Sequence, residues 1–213
     1  MRGKESYVVL NRLLWIIVLT VFICIDMLIH GGFSETAKYL AKWGTWLTYA
    51  TFMFSLNACS PLPNDSSVLL KSYKNNPFSA WKWYTVLFQI SFTLEIVTTL
   101  TFWVWIQKEA FKNQNMDWKA RTVLIVEHFV PLIALFSEYL LTNQPFVKRH
   151  WLIVTVIQGF YILVVCCYTI AGHPPYEKAS KWTTLAITGF YIAMCVITLV
   201  VFFSLEFFTR KKL

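Results

Sequence analysis

Six apolar stretches, at about 11–30, 40–58, 82–107, 122–142, 150–171 and 182–206, take up most of this chain. Each is close to or longer than the ~20 helical residues that a ~30 Å hydrocarbon layer requires. The connections between them are short, and too little chain remains for a separate water-soluble domain. The pattern predicts an all-α membrane protein, a single integral membrane domain over residues 1–213 built as a bundle of about six transmembrane helices. Any function must then lie inside the bundle, at its rims or on a face that meets another membrane component.

The rest of the composition is read within that frame. The chain is 57% hydrophobic with a mean hydropathy of +0.53, above the range of ordinary soluble domains. Trp43, Trp46, Trp81, Trp83, Trp118, Trp151 and Trp182 cluster near stretch ends, as interfacial aromatics do. The net charge of +8 would suggest nucleic acid as the partner of a soluble protein. No basic, aromatic-interleaved helix leaves the apolar stretches, so nucleic acid is not expected, and membrane lipids with anionic headgroups are the partners implied. Cys24, Cys59, Cys166, Cys167 and Cys195 form no CxxC pair and no Cys/His metal spacing, so free thiols are expected, with no metal and no cofactor. Arg2 and Lys4 precede an apolar run from Leu13 to Ile29 that is too long for a cleaved signal core, which predicts a retained anchor.

Six spans place both termini on one side. Eleven of the 19 basic residues fall on that side, among them Arg2, Lys4, Arg12, Lys148, Arg149 and Arg210–Lys212, while Lys38, Lys42, Lys108 and Lys112 are among the eight opposite. The bias puts the termini in the cytosol or an organellar matrix. The longest connection, about 59–81, contains the formal glycosylation sequon Asn64-Asp65-Ser66, which this topology keeps silent. Arg210-Lys211-Lys212-Leu213 fits a stop-transfer flank and is close to a dilysine retrieval signal. The endoplasmic reticulum or another endomembrane is the expected location, with the mitochondrial inner membrane as the alternative. Gly31-Gly32 is expected to end the first helix.

Ionisable residues at membrane depth are costly and mark functional positions. Asp26 and Glu206 lie near stretch ends, where they are expected to reach interfacial water. Glu95 sits in a hydroxyl-rich run, Ser91–Thr101. The fourth stretch is the most polar, with Glu127, His128, Pro131 and Glu138. Glu127, Pro131 and Glu138 share nearly one helical face, with Glu138 ~16 Å further along the axis than Glu127. Pro131 predicts a kink and an unpaired carbonyl beside it. A buried His near carboxylates can serve as a general base, a proton relay or a packing residue. Metal ligation needs three or four convergent ligands, which are not visible here.

Several of these residues carry a resemblance. Lys38-Tyr39-Leu40 leading into Trp43-Gly44-Thr45-Trp46-Leu47-Thr48, Phe102-Trp103-Val104-Trp105, His128 with Pro131 and Glu138, and Tyr161-Ile162-Leu163 with Val165-Cys166 and Gly172–Tyr176 occur in order over residues 38–176. In this they resemble the androgen-induced-gene-like and rolling-stone-like multi-pass membrane proteins. Some members hydrolyse lipid esters within the membrane with a Thr nucleophile and a His. The resemblance carries the His onto His128 and the Thr onto Ala41. Ala41 has no hydroxyl to acylate, so the resemblance implies hydrolysis that is impaired or lost. Thr45 and Thr48 are the nearby hydroxyls, and Glu138 is the orienting carboxylate. The alternative is a non-catalytic accessory subunit of a larger membrane complex, for example in an organellar inner membrane. A third reading, proton or ion transport, rests on Glu95, Glu127 and Glu138.

Overall fold

The computed structural model describes residues 2–30, 39–58, 80–106, 118–142, 144–171 and 184–210. Helix α1 spans Arg2–His30, α2 Leu40–Asn57, α3 Ala80–Thr101, α4 Trp118–Thr142, α5 Trp151–Ile170 and α6 Thr184–Arg210. A π-helical turn, Phe102–Ile106, prolongs α3, and a 3-10 turn, Lys148–His150, leads into α5. No strand occurs among the described residues. The helices occupy the six apolar stretches of the sequence. Gly31-Gly32, Cys59, Asn64, the connection around it, His173 and Lys211–Leu213 lie outside the described residues.

Five of the helices, α1, α3, α4, α5 and α6, are long and apolar enough to cross a membrane, which is compatible with a multi-span membrane protein. The 18 residues of α2 would reach ~27 Å, but Lys42, Thr45, Thr48, Thr51 and Ser55 dilute its apolar character. Those five side chains are buried. The second apolar stretch is thus a helix whose polar residues face its neighbours.

The distribution of side chains is inverted relative to a water-soluble bundle. Leu14, Ile17, Val21 and Leu28 of α1, Val156, Phe160 and Ile170 of α5, and Val196, Val200 and Phe207 of α6 are exposed, while Arg12, Asp26, Lys42, Glu95 and Glu138 are buried. In water each such exposure would forfeit hydrophobic stabilisation, whereas hydrocarbon accepts it. Helix α3 occupies the centre: 78% of its apolar window is buried, against 17% for α1. It packs most extensively on α2 and also contacts α4, α5 and α6, while α1 closes over α2 and α4.

Because lipid gives little drive for apolar association, helices in a membrane are held by close packing and interhelical hydrogen bonds. Both are present. Thr51 and Ser91 join α2 to α3 at 2.9 Å, a bond type worth ~0.6 kcal/mol in such surroundings. Phe88, Phe92, Tyr139, Phe146 and Phe202 stack where α3, α4 and α6 meet. Gln89 donates to the Pro145 carbonyl at 2.6 Å and meets His150 Nδ1 at 2.8 Å, which fixes the α4–α5 connection against α3. The threonines of α3 divide their hydroxyls as a hydroxyl-rich helix must. Thr85, Thr93 and Thr98 bond back one turn, Thr99 crosses to α4, and Thr101 reaches Met194 of α6. Helix α4 runs continuously through Pro131, which has no N–H to give the Glu127 carbonyl.

Candidate functional site

The interior polar groups form two layers. The first joins four helices. Arg12 of α1 donates from Nε to Glu138 Oε1 of α4 at 2.8 Å and from Nη1 to the Ser55 carbonyl of α2, also at 2.8 Å. The Tyr84 hydroxyl of α3 donates to the same Glu138 oxygen at 2.5 Å, and Asn11 lies 3.4 Å from the other. The guanidinium also sits over the Tyr84 ring, 5.2 Å from its centre. With every donor and acceptor directed at another, this layer has the geometry that makes a buried ion pair tolerable.

The second layer lies ~16 Å along α4 from the first, the rise between Glu138 and Glu127. Lys42 of α2 forms ion pairs with Asp26 of α1 and with Glu127 of α4, the latter at 2.9 Å. All three side chains are buried. Asp26 is therefore not at the water interface where its place near a stretch end suggested. Glu206 is also buried, and pairs with Arg210 one turn on at 2.5 Å.

Between α2 and α3, beside the Lys42 layer, lies Glu95. A Cβ at Gly44 would stand 2.5 Å from Glu95 Oε1, so the missing side chain of Gly44 makes the space that the carboxyl fills. The Thr48 hydroxyl and the Glu127 carboxylate are both within electrostatic reach of Glu95. His128, next to Glu127 on α4, feels the charge of Lys42. Its ring stacks on Phe102 of the π-helical turn, with centroids 4.0 Å apart and planes at 23°. Thr99 donates to its backbone carbonyl at 2.9 Å, which ties the helix beside Pro131 to α3. Turns of this π type often occur at functional positions.

The residues singled out from the sequence divide accordingly. His128, Thr45 and Thr48 are all buried on α4 and α2 at the Lys42 end of the bundle. Glu138 belongs to the Arg12 layer, and no hydrogen bond links it to His128. Thr45 donates to the Ala41 carbonyl at 3.1 Å, so its hydroxyl is engaged in its own helix. Thr48 Oγ1, Glu95 Oε1 and His128 Nδ1 are buried without a well-formed hydrogen bond, as are side-chain atoms of Trp103, Gln144 and Gln158, and the Thr48 hydroxyl lies close enough to the Glu95 carboxyl to interact with it. Buried polar atoms of this kind are completed by ordered water or by a polar ligand.

The sequence did not reveal Arg12 and Lys42 as interior residues, since both were counted among the flanking basic residues. The available signal was their position inside apolar stretches rather than beside them. Removing them takes one charge from each side and leaves the topology bias unchanged. Among the described residues no set of three His, Cys, Asp or Glu side chains is placed to hold a metal. Cys24, Cys166 and Cys167 are exposed free thiols, and Cys195 is a half-buried one. Comparison with family models, with curated proteins and with solved structures finds no match to this chain.

Proposed function

We propose that this chain is a six-span membrane protein akin to the androgen-induced-gene-like lipid-ester hydrolases, whose interior takes a lipid ester and turns it over slowly. One observation carries the reading: the Thr48 hydroxyl and the His128 ring nitrogen, on two helices that pack together, are both buried without a well-formed hydrogen bond. Such atoms are costly to bury, and a polar ligand that supplied the missing bonds would offset that cost.

In the proposed reaction Thr48 Oγ1 attacks the ester carbonyl carbon while His128 accepts the hydroxyl proton. The alcohol leaves with that proton and the acyl group remains on Thr48. Water, deprotonated by His128, then releases the fatty acid and restores the threonine. Ala41 stands where the resemblance places the nucleophile and has no hydroxyl. Thr48 lies about two helical turns further along α2, which accounts for weak turnover. Thr45 is the poorer substitute because its hydroxyl is bonded to Ala41.

The test is hydrolysis of fluorogenic lipid esters by protein purified in mild detergent. Turnover should vanish in His128→Ala and Thr48→Ala and persist in Thr45→Ala. Wild-type turnover no greater than that of His128→Ala removes the hydrolase reading.

A second reading, an accessory subunit of a larger membrane complex, is favoured by the lipid-facing side of α6. There Val196, Val200, Phe203 and Phe207 line an open groove of about 570 Å³. Migration as a single protomer on native gels after gentle extraction would exclude it.

A further inference from the structure

We propose that Glu95 is a catalytic residue of the same site, a neutral carboxylic acid whose O–H hydrogen-bonds the carbonyl oxygen of the bound ester. The proposal rests on the lipid-ester reading above and identifies the group that would hold the developing oxyanion.

The argument starts from placement. Glu95 is 1% exposed on the most enclosed helix, its Oε1 makes no well-formed hydrogen bond, and the Thr48 hydroxyl lies close to its carboxyl. Gly44 admits the carboxyl to the α2 backbone, because a Cβ there would come within 2.5 Å of Oε1. The oxygen is therefore directed at α2, the helix that carries Thr48, rather than back along its own helix.

The charged groups around it decide its form. Helix α2 offers Lys42, whose ammonium is already shared by Asp26 of α1 and Glu127 of α4. Helix α4 also brings the Glu127 carboxylate within reach, together with His128. One cation thus faces two carboxylates before Glu95 is counted. A third carboxylate would be uncompensated in an interior that excludes water, and a buried group in that position takes its neutral form. A neutral acid with a free O–H is a hydrogen-bond donor. Beside a hydroxyl nucleophile it occupies the role of an oxyanion-hole donor, a use to which buried carboxylic acids are suited.

Chemically, the Glu95 O–H hydrogen-bonds the ester oxygen as Thr48 adds to the carbonyl carbon and strengthens that bond as negative charge develops there. The bond weakens again when the tetrahedral species collapses and the alcohol departs. Glu95 keeps its proton over the cycle, and His128 handles the proton of Thr48.

Two measurements on the full-length protein test this. The first is lipid-ester turnover. Glu95→Ala should lower kcat ~10²-fold or more with little change in KM, while Glu95→Gln, whose amide N–H can donate to the same oxygen, should retain most of it. His128-dependent turnover that is unchanged in Glu95→Ala overturns the proposal and leaves the hydrolase reading standing. The second is difference infrared spectroscopy with a long-chain trifluoromethyl ketone, a non-hydrolysable carbonyl. A protonated-carboxyl band that disappears in Glu95→Gln and shifts when the ketone binds supports the proposal. No such band, or one that the ketone leaves in place, overturns it.

Discussion

Arg12 Nε and Glu138 Oε1 are 2.8 Å apart, and this contact ties the first helix to the fourth. It also answers a question about the fourth helix. Glu138 lies ten residues beyond His128 and belongs to a separate layer, where Arg12, Tyr84 and Asn11 surround it. Its role is to hold helices together. Arg12→Met or Glu138→Met alone strands a buried charge and should destabilise the protein by ~3–5 kcal/mol. The double substitution should recover much of that loss. Denaturant titration in mixed micelles measures both, and single variants as stable as wild type would refute the assignment.

The Lys42 layer should show an ordered response. Lys42→Met strands two carboxylates, Asp26 and Glu127. Asp26→Asn leaves Lys42 paired with Glu127 at 2.9 Å. The lysine variant should therefore lose more stability, by several kcal/mol for the uncompensated charges, than the asparagine variant. Equal losses in melting temperature would mean that the two ion pairs do not share one cation.

Gly44→Ala places a methyl carbon 2.5 Å from Glu95 Oε1, so α2 must retreat or the carboxyl must turn aside. Overpacking of this kind costs ~1–3 kcal/mol. Combining it with Glu95→Ala opens the space and should restore the melting temperature. A Gly44→Ala protein that melts like wild type would show that the two residues are not in contact.

Thiol labelling tests which faces meet lipid. Cys24, Cys166 and Cys167 are exposed on helices long and apolar enough to cross a membrane. In vesicles they should resist a charged maleimide and react with an apolar one. Rapid labelling by the charged reagent would place those faces in water.

Topology is tested at Asn64. With the termini in the cytosol the sequon stays unmodified, and epitope tags at both ends are cleaved by protease added to intact microsomes. A glycosidase-sensitive mass shift lost in Asn64→Gln would invert the arrangement.

How much could be read from the sequence differs by element. Helices α1, α4, α5 and α6 follow from length and hydropathy, because a face turned to lipid must be apolar whatever its partners are. Helix α2 is legible from its length alone, since it faces neighbours with Lys42, Thr48 and Thr51. His128 and Glu95 could be flagged as polar residues in apolar stretches. Their surroundings could not, for three reasons. The partner of Asp26 is 16 residues away in the chain. The contact of Gly44 with Glu95 depends on how closely two helices approach. The ring of His128 stacks on Phe102 of another element. Each is a tertiary fact that periodicity does not encode.

The Arg12–Glu138 pair also has a consequence for biosynthesis. Asp26 meets its lysine 16 residues later, as soon as the second helix is made. Arg12 waits for a carboxylate 126 residues downstream. In that interval the Ser55 carbonyl of the second helix and the Tyr84 hydroxyl of the third are its available partners. Arg12 is thus solvated by neutral groups first and neutralised last, when the fourth helix brings Glu138. A chain truncated before Glu138 would keep the guanidinium but lack its countercharge.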